Sequence, residues 1–338
     1  MRQIWATKSG EPGVLQVQDA PDPVPRSGEV RVRVVASGVS MTDVLARAGL
    51  TPEVARPPFV PGFEVAGVVD MVAQGVSGIQ EGDAVIAMPR LGGYADLVCV
   101  PYRKVYRRPE WMSAEDGAAI PLDYLTAYMA LVVAGSVRKG SKVLIHEAHS
   151  GPGLAALHIC RILGAEAYGT APARRHEFLQ REGLQQAIDH AADEYEEAAL
   201  ELSAGRGFEV IVNPYGGVHQ EKNFRLLQPA GRLIHLAHCS AVTGRPSNLS
   251  ARLLRLLGAV AYTPQQLMYE NKGVIGLRMD RLWTDVETIE KPMRQLLEWY
   301  DEALFRPCID SIVSFEQAAE AHTHVQMEQN AGKVLLRP

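Results

Sequence analysis

The stretch Val30-Arg31-Val32-Arg33-Val34-Val35-Ala36 alternates apolar and charged side chains, the mark of a strand with one wet face. Ahead of it, Ile4-Trp5-Ala6 and Leu15-Gln16-Val17 predict a hairpin, and Pro21, Pro23 and Pro25 an irregular link. Short apolar runs recur at Val65–Val69, Ala84–Ala87 and Tyr94–Val100, separated by Gly75, Gly78, Gly82 and Gly92-Gly93. Short strands at such spacing predict a small, mostly antiparallel barrel. From about Ser113 the rhythm changes. Residues Ala114–Val133 carry helical spacing, and beyond them strands and helices alternate: Val143–Ile145, helix 153–163, Glu166–Thr170, helix 174–182, Ala187–Ile188, helix 193–204, Glu209–Val212, helix 218–227 and Arg232–Leu236. This alternation predicts a parallel sheet covered on both faces. Ser311–Phe315, Ala318–Met327 and Lys333–Leu336 then read as strand, helix and strand.

The segment Lys142–Leu154, KVLIHEAHSGPGL, sits at the centre of the second pattern. A buried strand runs into a turn of small residues, Ala148 to Gly153, and then into an amphipathic helix. In a doubly wound domain that unit turns backbone N–H groups and the positive end of the helix dipole toward a pyrophosphate. In the G-x-G-x-x-G fingerprint, the three glycines make the turn, admit the phosphates and let the helix pack. Here those places hold Ala148, Ser150 and Gly153. The Cβ of Ser150 narrows the approach and Pro152 has no N–H to offer. Gly151 and Gly153 keep the turn possible, and the Ser150 hydroxyl can replace a backbone donor. A purely structural strand–helix turn is the alternative.

Length and composition narrow the class. A chain of 338 residues suggests two domains, and 47% hydrophobic with 22% charged residues describes a soluble globular protein. No apolar run approaches the roughly 20 residues of a membrane span, and MRQIWATKSG shows no signal-peptide core. A cytoplasmic enzyme acting on a small molecule is the expectation. A net charge of -5 without a basic stripe argues against nucleic acid. Cys99, Cys160, Cys239 and Cys308 form no C-x-x-C pair, so they read as buried free thiols.

Several stretches together resemble one family. They are Pro57–Val69 (PPFVPGFEVAGVV), Gly92–Ala95 (GGYA), Pro121–Leu131 (PLDYLTAYMAL), Val143–Gly153, Phe208–Gly217 (FEVIVNPYGG), Leu226–Leu233 (LLQPAGRL) and Asn330–Pro338 (NAGKVLLRP). The chain is similar, over nearly its whole length, to the medium-chain dehydrogenase/reductases, in their zinc-free quinone oxidoreductase branch. Within the branch it looks most like the vesicle amine transport group, sharing VPGFE-x-AGVV, YLTAYM and IDS-x-x-x-FE-x-A, the last from Ile309 to Ala318. The resemblance implies a GroES-like, mostly antiparallel β-barrel catalytic domain at 1–121 and 305–338. It implies a Rossmann domain with a doubly wound parallel sheet at 122–304, cofactor and substrate in the cleft between them, and a homodimer. Zinc-dependent members carry Cys near Ser37 and His-Glu where this chain has Phe63-Glu64; no metal is expected.

The resemblance also places Thr126 beside a nicotinamide and Asn213 to Gly217 near it. Thr126 can instead satisfy a helix carbonyl, and Asn213-Pro214 can be an ordinary turn. After the second strand of the parallel unit come Arg174 and Arg175, which suit a 2′-phosphate and point to NADP, or else form a solvated first turn. His190 stands where the family commonly has a Tyr near the adenosine phosphate. Ser40 and Thr51 replace an Asn and a Tyr of the substrate pocket, and Asp43 reads as a structural cap. Reducing an enone or quinone requires an oxyanion partner and a proton source. Ser40 is the candidate for the first, and water, Tyr94, Tyr124 or Tyr128 for the second. His149 and His238 can each shuttle a proton near neutral pH, in redox or non-redox chemistry, or be core histidines.

The expected activity is therefore NADPH-dependent, zinc-independent reduction of a quinone or α,β-unsaturated carbonyl. One alternative is a redox-inactive member of the fold, cofactor-free or holding a cofactor only structurally, doing proton transfer, isomerisation or cyclisation on an enone-like biosynthetic intermediate with His149, His238 or Asp43. A non-catalytic binding protein is the other.

Overall fold

The computed structural model describes residues 1–51, 55–189, 195–215, 218–236 and 260–338, and these form two compact units. The first takes residues up to Leu125 and then Met279–Pro338; the second takes the described residues between.

The chain begins with a hairpin, β1 (Arg2–Ala6) and β2 (Leu15–Asp19), paired with Ile4 opposite Val17. β3 (Glu29–Val39) follows its alternating pattern: Val30, Val32 and Val34 enter the core while Arg31 and Arg33 turn out onto Asp70. After helix α1 (Met41–Arg47) come β4 (Val65–Val72), β5 (Ala84–Ala87), β6 (Leu97–Pro101) and β7 (Val105–Arg107). β6 starts three residues later than its apolar run suggests, because the Tyr94 amide is turned to the Pro61 carbonyl.

The single helix expected over Ala114–Val133 is three pieces: α2 (Ala114–Ala119), α3 (Pro121–Tyr128) and a π-turn at Met129–Ala134. Pro121 has no N–H to continue the ladder, and the Leu122 amide is given instead to Glu64 Oε2 at 2.7 Å.

The second unit alternates β8 (Lys142–Ile145), α4 (Gly151–Leu163), β9 (Glu166–Ala171), α5 (His176–Arg181), β10 (Gln186–Asp189), α6 (Tyr195–Leu202), β11 (Phe208–Asn213), α7 (Val218–Arg225), β12 (Leu227–His235), α8 (Pro264–Glu270) and β13 (Gly273–Gly276). α7 stops short of its predicted end because Leu227 pairs with Phe208, which starts β12 early. The six strands are parallel in the order β10-β9-β8-β11-β12-β13. Strands leave β8 in one direction and β11 in the other, so the topological switch point falls between those two. Ligands of open parallel sheets bind beyond the strand C-termini there.

The first unit takes the chain again from Met279. α9 (Met279–Leu282) leads to α10 (Val286–Asp301), which buries Ile289, Met293, Leu296 and Tyr300 along one face. The Tyr300 ring stacks on Trp111 at 4.5 Å, and Trp283 meets Phe63 edge-on while its indole N–H reaches the Pro89 carbonyl at 2.9 Å. β14 (Ile309–Ser314), α11 (Ala318–Gln326) and β15 (Lys333–Arg337) complete a mostly antiparallel sheet, β14-β15-β3-β4-β5-β7, with β6 on β3. These are the GroES-like and Rossmann-type folds expected. Among the described residues no helix is long and apolar enough to cross a membrane. Of the thiols, Cys160 is buried, whereas Cys99 and Cys308 are half-buried; Cys239 lies outside the described residues.

Candidate functional site

β8 ends at Ile145 and the chain turns through Glu147, whose φ of 53° is a left-handed conformation that glycine usually fills. The Ala148 amide continues onto the Thr170 carbonyl at 3.0 Å, and the Ser150 amide closes the turn on Glu147 O at 2.9 Å. Ser150 is the N-cap of α4, its Oγ accepting from the Gly153 amide at 3.2 Å. Gly153 has the packing role of the third glycine: a Cβ there would stand 2.2 Å from Glu147 O. Gly169 on β9 is tied to Ala148 in the same way, since a Cβ would meet that of Ala148 at 2.7 Å.

The first turn of a helix holds N–H groups without intrahelical partners. In α4, Pro152 has none, the Gly153 amide is taken by Ser150 and the Leu154 amide by the Ser150 carbonyl at 2.9 Å. Gly151 is the remaining donor of this turn. His149 is buried beside it. At the end of β9, Ala173–Arg175 winds one 3-10 turn that exposes Arg174 and half-buries Arg175. Asn213 is wholly buried, and its side chain holds the turn after β11: Nδ2 donates to Tyr215 O and Oδ1 accepts from Tyr215 N, both at 3.0 Å. That is an Asx turn, so the side chain is committed locally. Thr126 and Tyr128 are half-buried on α3, and burial raises the Tyr128 pKa. His190, Gly217 and His238 lie outside the described residues.

A polar cluster around this turn is absent from the sequence reading. The Tyr215 hydroxyl donates to Glu147 Oε1, across the switch point. His146 lies between Thr170 Oγ1, 3.1 Å from Nδ1, and Asn223 Oδ1, 2.8 Å from Nε2. Asn223 Oδ1 is an acceptor, which suits the tautomer of His146 with its proton on Nε2. The same oxygen accepts from Tyr195 OH at 3.2 Å. Burial pulls the His146 pKa down to about 4, against the Asn223 hydrogen bond, so the imidazole is neutral at pH 7. Burial, with Lys222, lowers His219 too. The adjacent pair His146-Glu147 is the local signal that could have found the cluster, because Tyr195, Tyr215 and Asn223 come from distant segments.

In the first unit, two candidates have close partners of their own. Ser40 is the N-cap of α1 and shares a capping box with Asp43, its Oγ donating to Asp43 Oδ2 at 2.7 Å. Asp43 Oδ1 accepts from the Gly62 amide at 2.8 Å, the structural role expected of it. The Ser40 hydroxyl thus takes part in the helix cap. Tyr94 is fully buried, its hydroxyl 3.1 Å from His322 Nε2, and burial pushes its pKa up. Tyr124 is also buried, stacked on Phe305 at 4.3 Å.

Where a metal would be held, Ser37 Oγ donates to the Glu64 carbonyl at 3.2 Å and Phe63 packs on Trp283. The Glu64 side chain is paired with buried Lys333, which also contacts Asp123 Oδ2 at 3.2 Å.

Residues 26–110 match the family described as alcohol dehydrogenase GroES-like domain, and residues 183–336 that described as zinc-binding dehydrogenase. The synaptic vesicle membrane protein VAT-1 homolog of Rattus norvegicus is 35% identical over 96% of this chain and 80% of its own length. The human quinone oxidoreductase is 28% identical over 99% of this chain and 97% of its own. A crystal structure of the human VAT-1 homolog-like protein superposes with a TM-score of 0.86 at 27% identity, covering 100% of this chain and 98% of that one. The chain therefore belongs to the medium-chain dehydrogenase/reductase family. Within it, the chain stands close to the VAT-1 homologues and quinone oxidoreductase, and its fold is that of the family's oxidoreductases.

The family description includes zinc, but this donor set does not fit the metal. An alcohol and a phenyl ring replace thiolate and imidazole, and the neighbouring carboxylate already has an ammonium partner.

Proposed function

We propose that the protein is a zinc-independent reductase that uses NADPH to reduce a quinone or α,β-unsaturated carbonyl in the cytoplasm, as a homodimer. The observation that carries this reading is the end of β9. No acid stands there to bind a ribose 2′-hydroxyl; Arg174 and Arg175 occupy the 3-10 turn that follows. A guanidinium pair matches a 2′-phosphate in charge and in fork geometry. The Gly151 amide and the N-terminus of α4 support a pyrophosphate by the same electrostatics, with fewer donors than a glycine-rich turn supplies. The cofactor, when bound, supplies the hydride. Thr126 on α3 orients the nicotinamide in this proposal. Tyr128, half-buried on α3, is the proton source in this proposal; burial keeps its phenol protonated and ready to donate from Oη.

Titrating the protein with NADPH and NADH tests the reading. NADPH is expected to bind at least about tenfold tighter than NADH, a preference of about 1.4 kcal/mol, and the double substitution Arg174→Ser, Arg175→Ser to abolish that preference. Equal affinities in the unmodified protein would refute it.

The capped Gly153 amide and Pro152 favour a second reading, a redox-free enzyme acting on a similar carbonyl compound. Replacing Ser150 by Gly and Pro152 by Val frees two donors. Tighter NADPH binding would show a suboptimal cradle and support the reductase. No binding before or after would support the redox-free enzyme.

A further inference from the structure

We infer that Glu147 and Tyr215 form a latch across the dinucleotide crevice, so that a pyrophosphate enters only when this pair parts; the inference rests on the NADPH reading above. β8 and β11 are neighbours, with Val212 opposite Ile145, and both end at the switch point. Glu147 lies two residues beyond β8 and Tyr215 two residues beyond β11. The phenol of one donates to the carboxyl of the other, spanning the place where an open parallel sheet receives its ligand.

Both ends of the latch are held. Glu147 is fixed by its left-handed backbone, by Gly153 packed against its carbonyl and by its amide directed at Thr170 Oγ1 at 3.4 Å. Its side chain is buried. Tyr215 is fixed by the two Asn213 hydrogen bonds, and its ring meets His146 at 5.7 Å and His219 at 5.2 Å. The turn thus offers a phosphate an acid of its own as well as a depleted set of donors, and like charges at close range repel. Tyr215 holds that acid in the crevice.

Dissociation constants for NADPH and for adenosine 2′-monophosphate, measured by calorimetry on the whole chain, test the latch. The second probe carries the 2′-phosphate but no pyrophosphate. Glu147→Ala is expected to bind NADPH about tenfold tighter than the unmodified protein, and Tyr215→Phe to gain less, because the acid remains. All three are expected to bind the monophosphate alike. NADPH constants that agree in all three proteins, a gain shared by the monophosphate, or no NADPH binding in any of them would overturn the latch. Glu147→Gln keeps an acceptor for Tyr215 and removes the charge; a gain equal to that of Glu147→Ala would assign the effect to charge alone and also overturn it. Failure of the monophosphate to bind the unmodified protein would count against the Arg174 and Arg175 reading, while a variant-specific gain for NADPH would still support the latch.

Discussion

Replacing Lys333 by Met is expected to cost about 3–5 kcal/mol of stability, a large fraction of what holds an ordinary domain together. Lys333 opens β15 and is buried with Glu64 and Asp123. Burial alone would pull its ammonium toward neutrality, but the charges of Asp123 and Glu64 outweigh that and hold it protonated. Burial pushes both acids up, with Lys333 opposing it. Removing the ammonium strands two carboxyl groups that share one site, and their repulsion adds to the desolvation each already bears. The site is too tightly filled for water to help. A Cβ on Gly38 would already stand 2.4 Å from Glu64 Oε1 and 2.7 Å from Lys333 Cε. Urea unfolding of the Lys333→Met protein checks the magnitude, and a loss below about 1 kcal/mol would refute the account, being the range of an exposed ion pair. Adding Glu64→Gln and Asp123→Asn should restore much of the loss. The substituted amide oxygen still accepts from the Leu122 amide that starts α3, and no net charge is left buried.

Much of the architecture is legible in local pattern. The alternation through Val30–Ala36 gives β3 and its wet face, and the strand–helix rhythm gives the parallel sheet, because both periods are set by backbone geometry. The replacement of metal ligands by Ser37 and Phe63 is also visible residue by residue. The site is less so. Ser40 and Asp43, three residues apart at a helix start, carry a capping-box signal, and the box forms. Tyr94 meets His322, 228 residues away, and Glu147 meets Tyr215, 68 residues away. Such pairs are made by topology, and no window of sequence contains them. A break such as Pro121 is visible, but its consequence depends on Glu64 being near enough to take the freed amide.

Acidification from pH 7.5 to 5 is expected to remove about 4 kcal/mol of stability through two histidines alone, at about 1.4 kcal/mol per pH unit for each proton taken up on unfolding. Burial pulls His146 to about 4 and, with the Arg47 charge, His322 to about 3, against 6.5 for the free side chain. Below pH 6.5 the unfolded chain therefore binds two protons that the folded protein refuses, so stability rises with pH in this window. The contribution is complete above 6.5 and is lost as the pH falls toward the folded values. His146 is buried between Thr170 Oγ1 and Asn223 Oδ1, neither of which carries a charge to balance a second proton, and His322 stands beside a buried guanidinium whose own pKa is lowered to about 10. Asp43, Glu64 and Asp123 act in the opposite sense, because burial raises their pKa values in the folded state. The histidine contribution is thus read as a difference between proteins. Urea midpoints at pH 7.5 and 5 should fall steeply for the unmodified protein and much less for His146→Gln, His322→Gln, whose amides hydrogen-bond without titrating. Parallel profiles for the two proteins would show that these histidines do not set the acid limit.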